Sequence, residues 1–304
     1  MRRIPGLARS SLCALLLACV SVAHAGPQSV AKPPQRLLIG LIPEINIFKQ
    51  KQRFRLLGDY LAAKTGIPVE FTILSRYGNI IESFTKEKMD GAFFGSFTGA
   101  LAIRRLGVVP LARPVNLDTT STYQGYLFVR KDSGINSASD MRGKRMAYVE
   151  KATTAGYIFP LAHLRQMGIK NIEGFFRESI FTGSHDAAIT AVLDNKADVG
   201  AAKNTIYDRV REENPRVDQE LVILARSPAV PSNGLCVRRD LPPDLQMKLR
   251  QALLGLDQDP AGKAVLEKFG ALRFVDTTPG DYQPVIDLAR EAGIDLRKYH
   301  YNND

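Results

Sequence analysis

The sequence predicts an α/β protein with two lobes between which the chain crosses twice. Residues 37–42 form an apolar strand, residues 53–64 carry apolar side chains on one helical face, and residues 69–73 alternate as a strand does. Strands and helices in alternation are typical of a parallel sheet covered by helices. A helix, turn and strand at residues 81–94 recur at the same offsets in residues 189–202, which indicates two lobes built on similar units.

Two similar strand ends indicate where the chain changes lobe. Residues 126–132 and residues 234–240 are both apolar strands that end in Val-Arg, a basic residue and Asp, and they bracket about 100 residues. If both strands lie in the first lobe, the chain leaves that lobe and returns to it at neighbouring positions. Two adjacent crossovers of this kind are what a hinge between two lobes requires. We therefore expect residues 36–131 and 230–304 in lobe 1 and residues 132–229 in lobe 2.

The first 25 residues have the pattern of a secretory signal peptide. Three arginines precede an apolar stretch at residues 12–22 and a small-x-small cleavage site at residues 23–25. Cleavage there would place the mature protein in the periplasm, and residues 26–35 would form a Pro-rich linker. Lipid attachment at Cys19 is the alternative. No later apolar run reaches the roughly 20 residues that a membrane span requires.

Composition argues against several classes of function. The net charge of +10 falls to +7 when the three signal-peptide arginines are removed, the basic residues form no runs, and Trp is absent. We therefore expect no nucleic-acid partner but a general attraction for anions. Past the signal peptide Cys236 is the one cysteine, and its apolar neighbours predict a buried structural thiol. His163, His185 and His300 lack the spacing of a metal site, and no catalytic motif occurs, so we expect no catalysis, metal or cofactor.

Two predicted helix starts favour an anion-binding site. Residues 153–157 and 183–188 open helices with glycine, small residues and side-chain hydroxyls. A helix start leaves backbone N–H groups unpaired and carries a partial positive charge, which suits an anion, although ordinary N-capping explains the same residues. The predicted strands end at residues 43–44, 95–96, 150–153 and 203–204. Ligands of open α/β sheets lie beyond such strand ends, so the anion site is the favoured interpretation.

Together these segments resemble the periplasmic phosphate/phosphite/phosphonate-binding proteins of ABC transporters. The similarity spans about residues 36–295, and the order and spacing of the motifs carry it. The matching segments are Pro43 and residues 54–66, 76–77, 90–95, 153–157, 183–186 and 263–270. The resemblance implies the type II periplasmic binding fold, with two α/β lobes and two hinge crossovers. It also implies delivery of a small phosphorus oxyanion to a membrane permease, and we expect the protein to be a monomer.

The resemblance also implies which side chains contact the ligand. Tyr77 matches the family's tyrosine in the first lobe, while Thr153 and Thr154 match its hydroxyl pair. His185 matches the histidine of the second helix start, and we expect it to be neutral and to donate one N–H to the anion. Phe94 stands where relatives that bind phosphonates often carry Tyr. With Ser96 at a strand end and Lys203 as a cation for a dianion, the expected set is Tyr77, Phe94, Ser96, Thr153, Thr154, His185 and Lys203.

Two other functions stay open at this point. A secreted protein of this kind can dock on a membrane sensor, such as a histidine kinase or cyclase, in place of a permease. An enzyme on the same fold would need a general base in the cleft, and Glu44, Glu150 or His185 would have to supply it. The sequence does not rank phosphate, phosphite and alkylphosphonate. It also allows sulfate or a larger organic ligand, since residues 93–97 supply three phenylalanines.

Overall fold

The computed structural model of the protein describes residues 34–172 and 174–301. The predicted signal peptide, Cys19 and most of the predicted linker lie outside these residues. Within the described part of the chain, no helix combines the length and apolar character needed to cross a membrane.

Strands and helices alternate along the described chain, as the sequence predicts. The strands are β1 (Leu37–Leu41), β2 (Val69–Ile73), β3 (Gly91–Phe94), β4 (Val109–Val115), β5 (Thr122–Tyr123), β6 (Gly125–Arg130), β7 (Arg145–Tyr148), β8 (Glu178–Phe181), β9 (Val199–Lys203), β10 (Leu221–Arg226), β11 (Val230–Pro231), β12 (Gly234–Val237) and β13 (Arg273–Asp276). The α-helices are α1 (Ile47–Thr65), α2 (Asn79–Lys86), α3 (Ser96–Leu106), α4 (Phe159–Gln166), α5 (His185–Leu193), α6 (Asn204–Glu213), α7 (Arg216–Glu220), α8 (Pro243–Leu254), α9 (Pro260–Phe269) and α10 (Gln283–Glu291). A π-helical turn, Thr154–Ile158, leads into α4.

Two sheets organise the fold. The six-stranded sheet has the order β13-β4-β12-β3-β1-β2, and the five-stranded sheet has the order β10-β6-β9-β7-β8. In the first, β1 pairs in parallel with β2 and β3, whereas β12 and β13 run antiparallel to their neighbours. In the second, β7 pairs in parallel with β8 and β9. The two strands of the predicted internal repeat, β3 and β9, therefore lie in different sheets.

The chain crosses between the two sheets twice, as predicted. It leaves β4 of the six-stranded sheet, passes through β5 and enters β6 of the five-stranded sheet. It returns from β10 through β11 to β12. Since β5 and β11 pair antiparallel, with Val230 opposite Tyr123, the two crossovers form one short ribbon that connects the sheets. Such paired crossovers are the geometry of a hinge.

The placement of residues 126–131 in lobe 1 is wrong. These residues belong to β6, which pairs with β9 and β10 in the five-stranded sheet. The similar strand endings that suggested a common lobe have a local cause. Arg130 forms an ion pair with Asp132, and Arg238 forms one with Asp240, so each arginine binds the aspartate two residues further on. The remainder of the proposed lobe division stays a prediction.

The core lies on both faces of each sheet. On one face of the six-stranded sheet, the ring of Phe54 from α1 packs edge to face on Phe71, Phe93 and Phe269, with centroids 5.2 to 5.3 Å away. Cys236 of β12 is fully buried, and burial raises the pKa of its thiol to about 12. The predicted buried structural thiol is confirmed. This packing fixes the strand ends at which the site residues lie.

Candidate functional site

Side chains from both sheets surround one small buried cavity. Its volume is about 10 Å³, room for about one water molecule. The six-stranded half contributes Glu44 after β1, Tyr77 before α2 and Ser96 at the start of α3, while the five-stranded half contributes Thr153, Thr154, His185 and Lys203. Tyr123 of β5 and Asn233 after β11 complete the polar lining. Apart from Phe94, all the side chains predicted to contact a ligand meet here.

Two helix starts face each other across the cavity. Ser96 begins α3 and Thr154 begins the π-helical turn, and their hydroxyl oxygens lie 2.6 Å apart. The Ser96 hydroxyl also lies 2.6 Å from the Tyr123 hydroxyl. Gly156 allows the turn to pack on the end of β7, because a Cβ there would lie 2.5 Å from Val149. The pattern Thr-Thr-Ala-Gly thus places one hydroxyl from the five-stranded half against one from the six-stranded half.

Thr153 has a different role from its neighbour. Its hydroxyl donates a hydrogen bond of 2.6 Å to the backbone carbonyl of Glu150, although the residue lines the cavity. Its donor is therefore used within the loop that follows β7. The Thr153 oxygen retains acceptor capacity only.

His185 is buried at the start of α5, which Ser184 caps by accepting from the backbone N–H of Ala187. Its Nδ1 accepts the backbone N–H of Lys203 over 3.2 Å. Burial lowers the pKa of His185 to about 3, even though Glu44 acts in the opposite direction. The imidazole is therefore neutral, and since Nδ1 accepts, its proton is on Nε2. This is the neutral N–H donor that the sequence predicts.

Tyr77 presents an unpaired donor. Among the residues that the structure describes, its hydroxyl is the one fully buried side-chain nitrogen or oxygen with no hydrogen-bond partner. Burial raises the pKa of Tyr77 well above its usual value, so the phenol keeps its proton. Its ring meets that of His185 edge to face at 6.1 Å. A buried polar group without a partner costs about 1–3 kcal/mol, which is a cost that a bound ligand can remove.

Lys203 and Glu44 form a buried ion pair between the two halves. The Lys203 Nζ lies 2.9 Å from a Glu44 carboxylate oxygen and 3.3 Å from the Asn233 side-chain oxygen. It also lies 4.5 Å from the centroid of the Tyr123 ring. Burial alone would raise the pKa of Glu44, but the charges of Lys203 and Arg53 outweigh it and lower the pKa to about 2. Glu44 is thus a carboxylate at neutral pH, and its negative charge already balances the positive charge of Lys203.

Glu150 links the end of β7 to the opposite half. Its carboxylate accepts the backbone N–H of Tyr77 over 3.1 Å. Burial raises the pKa of Glu150 to about 6, and the backbone N–H groups of Gly78 and Tyr77 only partly offset this effect. The group therefore titrates close to neutral pH, unlike Glu44.

Glu150 gives the stability of the protein a specific pH dependence. Its pKa is about 6 in the folded protein and 4.5 in the unfolded one, so the folded protein binds this proton more tightly. The resulting stabilisation is present below pH 4.5 and is lost as the pH rises through 6. His185 acts in the opposite direction, because its pKa falls from 6.5 to about 3 on folding. We therefore expect the difference in unfolding free energy between wild type and Glu150→Gln to decrease as the pH rises through 6. Urea titrations across this range would measure it, and a difference that does not change with pH would contradict the assignment.

The structure does not bring Phe94 to the cavity. Its side chain is fully buried, and its ring lies 5.8 Å from that of Phe84 under α2. Successive side chains of a strand point to opposite faces, so Phe93 and Phe94 both enter the core, on opposite sides of β3. The expectation that Phe94 contacts a ligand is therefore wrong for this arrangement. Phe97, the second residue of α3, lines the cavity instead.

Sequence reasoning missed two members of the site, Tyr123 and Asn233. Both lie on the crossover ribbon or next to it, where the strands are two residues long and carry no periodic signal. Glu44 was recognised at a strand end, but not as the partner of Lys203, because the pairing joins residues 159 positions apart. Within the described residues, no group of three or more His, Cys, Asp or Glu side chains is placed to hold a metal ion.

The sequence matches the model of a known family of transport proteins. The family model for the periplasmic substrate-binding protein of phosphonate ABC transporters matches residues 39–282. The chain belongs to this family. Its members are the periplasmic substrate-binding components of ABC transporters, so the resemblance found in the sequence is confirmed.

Individual relatives agree with this assignment. The phosphate-import protein PhnD of Mycolicibacterium smegmatis is 29% identical over 213 residues, which cover 67% of this chain and 66% of that protein. A probable ABC transporter phosphite-binding protein, PhnD1 of Prochlorococcus marinus, is 24% identical over 85% of this chain and 90% of its own length. The structure of PhnD1 in complex with methylphosphonate superposes with a TM-score of 0.76 at 22% identity, covering 85% of this chain and 98% of that one. The predicted type II periplasmic binding fold is confirmed.

Proposed function

We propose that this protein captures a small phosphorus oxyanion (phosphate, phosphite or a phosphonate) in the buried cavity and delivers it to an ABC permease. The observation that carries the proposal is the buried, unpaired hydroxyl of Tyr77 beside the neutral imidazole of His185. Neutral O–H and N–H donors suit the oxygens of an oxyanion, and hydrogen bonds to a charged acceptor are roughly twice as strong as neutral ones. The relatives named for phosphate, phosphite and methylphosphonate support the same class of ligand.

The size of the cavity indicates how a ligand would be accommodated. A phosphorus oxyanion has several heavy atoms, whereas the present volume of about 10 Å³ suits about one water molecule. The ligand would therefore separate the hydroxyls of Ser96 and Thr154, which now contact each other at 2.6 Å. Each hydroxyl would then donate to a ligand oxygen. Since the two hydroxyls belong to different halves, the ligand would hold the halves together and favour closure about the β5–β11 ribbon.

The three candidate general bases are already engaged in other contacts, and for that reason we assign no catalysis. The Glu44 carboxylate is paired with Lys203, and Nδ1 of His185 accepts a backbone N–H. The Glu150 carboxylate accepts the backbone N–H of Tyr77. The proposal further includes export by the signal peptide of residues 1–25 and action as a monomer. A permease is favoured over a membrane sensor because the matching family model is that of ABC transporters.

Thermal unfolding with a panel of anions tests the proposal. The protein would be purified from the periplasm, unfolded, dialysed and refolded, and then heated with phosphate, phosphite, methylphosphonate, aminoethylphosphonate or sulfate. A ligand at a hundred times its dissociation constant adds roughly 2.7 kcal/mol, which raises the midpoint by several degrees. We expect such a rise with at least one phosphorus anion and none with sulfate. If no phosphorus anion raised the midpoint, the ligand class would be wrong.

Tyr77→Phe extends this test to the site. The change removes a buried hydroxyl that lacks a partner, so the protein without ligand should become more stable. The same change should reduce the rise caused by the phosphorus anion, because a donor is lost. Tyr207→Phe is the matched control, since Tyr207 is buried but does not line the cavity. A Tyr77→Phe protein with an undiminished response to ligand would remove Tyr77 from the site.

A further inference from the structure

A second, much larger cavity adjoins the first. Its volume is about 380 Å³, compared with about 10 Å³ for the proposed anion cavity. The two share Ile42, Glu44, Lys203 and Asn233 as lining residues, so they meet at the ion pair between the two halves. To reach the large cavity, the substituent of a ligand whose phosphorus group occupies the small one would have to pass Lys203 and Asn233.

The large cavity contains cations that lack carboxylate partners. Arg53 of α1 and Arg209 of α6 line it from opposite halves of the protein, and both are half-buried. Within residues 34–172 and 174–301, neither arginine lies within 4.0 Å of a carboxylate. Arg53 donates from Nε to the backbone carbonyl of Phe269 over 2.6 Å, and its guanidinium carbon lies 4.4 Å from the centroid of that residue's ring. These contacts hold the side chain in place without neutralising it.

Three cations, Arg53, Lys203 and Arg209, lie close enough in this region to influence one another. Burial lowers the pKa of Arg53 to about 10, with a smaller contribution from the charge of Arg209. Burial also lowers the pKa of Lys203, and both arginines add to this effect. Glu44 raises the pKa of both groups and acts on each more strongly than the neighbouring arginines do, but its carboxylate is already paired with Lys203.

The other acidic residues of the large cavity are either exposed or paired with a cation other than Arg53 and Arg209. Asp118 and Glu212 are exposed, and Asp118 accepts hydrogen bonds from the backbone and hydroxyl of Thr120. Asp208 is paired with Arg211 at 3.3 Å. The inner wall thus combines Arg53 and Arg209 with the rings of Phe54 and Phe93, a lining that suits a short hydrocarbon chain ending in an anion.

We propose that the large cavity receives the substituent of a phosphonate ligand and that Arg53 and Arg209 bind a carboxylate on this substituent. The inference rests on the proposed function, since the phosphorus group must occupy the small cavity. The planar guanidinium forms two parallel hydrogen bonds with a carboxylate, which makes arginine well suited to this task. A substituent that ends in an ammonium group would be repelled by the same side chains. The preferred substrates are therefore carboxyalkyl phosphonates rather than aminoalkyl phosphonates.

Calorimetric titration with three matched ligands tests the inference. The protein purified from the periplasm would be titrated with 3-phosphonopropionate, propylphosphonate and 3-aminopropylphosphonate, together with methylphosphonate and phosphate. We expect 3-phosphonopropionate to bind about tenfold or more tightly than propylphosphonate. A tenfold gain in affinity corresponds to at least one hydrogen bond between its carboxylate and an arginine. The amino compound should bind most weakly of the three.

Two single variants test whether Arg53 and Arg209 cause the preference for the carboxylate ligand. Arg53→Gln and Arg209→Gln should each remove most of the advantage of the carboxylate while leaving the affinity for methylphosphonate unchanged. Arg104→Gln is the control, because Arg104 is exposed and lines neither cavity. If Arg53→Gln does not fold, Arg209→Gln still measures the contribution of an arginine to the preference.

The possible failures are distinguishable. If neither phosphate, phosphite nor any phosphonate binds, the proposed function is wrong and the inference fails with it. If methylphosphonate binds but 3-phosphonopropionate binds no more tightly than propylphosphonate, the inference alone is overturned. It is also overturned if the amino compound is preferred, or if the advantage of the carboxylate survives in both arginine variants.

Discussion

Replacing Thr154 and His185 together with alanine is expected to lower the affinity for a phosphorus anion by about a hundredfold or more. Each side chain would contribute a hydrogen bond to a charged acceptor, worth about 1.5–3 kcal/mol, and each 1.4 kcal/mol corresponds to a factor of ten. The fold should remain, because Ser96 and Tyr123, which the Thr154 hydroxyl contacts, stay hydrogen-bonded to each other, and His185 contributes one hydrogen bond with the backbone. Calorimetric titration and circular dichroism of the same samples would measure both effects.

Some loss of stability is expected in this double variant. Without His185, the buried backbone N–H of Lys203 loses its acceptor, which costs about 1–3 kcal/mol. Thr190→Ala with His300→Ala is the matched control, since both residues are exposed and line neither cavity. An affinity unchanged from wild type in the Thr154 and His185 variant would overturn the site assignment while leaving the fold assignment intact.

Lys203→Met is expected to destabilise the protein by about 3–5 kcal/mol, because it leaves the buried carboxylate of Glu44 without its ion-pair partner. Removing the carboxylate as well, in Lys203→Met with Glu44→Gln, should restore much of the lost stability. Urea denaturation of wild type, both single variants and the double variant would give the coupling between the two residues. Lys196→Met, at an exposed position three residues before β9, is the control.

The pH dependence of this effect follows from Glu44. Its pKa is lowered from 4.5 to about 2, so the stability it contributes is present above pH 4.5 and is lost as the pH falls through 2. The difference in unfolding free energy between wild type and Lys203→Met should therefore decrease in acid, where the Glu44 carboxylate of the variant becomes protonated. If Lys203→Met is no less stable than Lys196→Met at neutral pH, the ion pair does not stabilise the folded protein.

Local patterns in the sequence predict most of the secondary structure. Helix α1 begins at Ile47 rather than at residue 53, because the side chain of Asn46 caps it by accepting the backbone N–H groups of Phe48 and Lys49. It ends at Gly66, which has a left-handed conformation with φ of 75°. Caps and glycine stops of this kind depend on a few adjacent residues, so a sequence contains the information needed to place them.

Sheet membership is less accessible to such reasoning. The strands at residues 126–130 and 234–237 have the same apolar character and the same Arg-Asp ending, yet they belong to β6 and β12 in different sheets. The side chains of a strand indicate that both of its faces are buried, but they do not indicate which strand lies beside it. The pairing of β6 with β9 and β10 is decided by contacts between residues far apart in the chain.

For this protein, the sequence by itself determined the α/β class, the two crossovers, the buried thiol of Cys236, the two helix starts and six side chains that now line one cavity. These depend on periodicity and on the composition of strand ends, which are local properties. Only the tertiary structure decided that Phe94 enters the core, that Lys203 is paired with Glu44, and that Tyr77 has a hydroxyl without a partner. The physical reason is that burial and pairing arise from groups brought together by the crossing of two sheets, so their charges and hydrogen bonds are fixed only once those sheets meet.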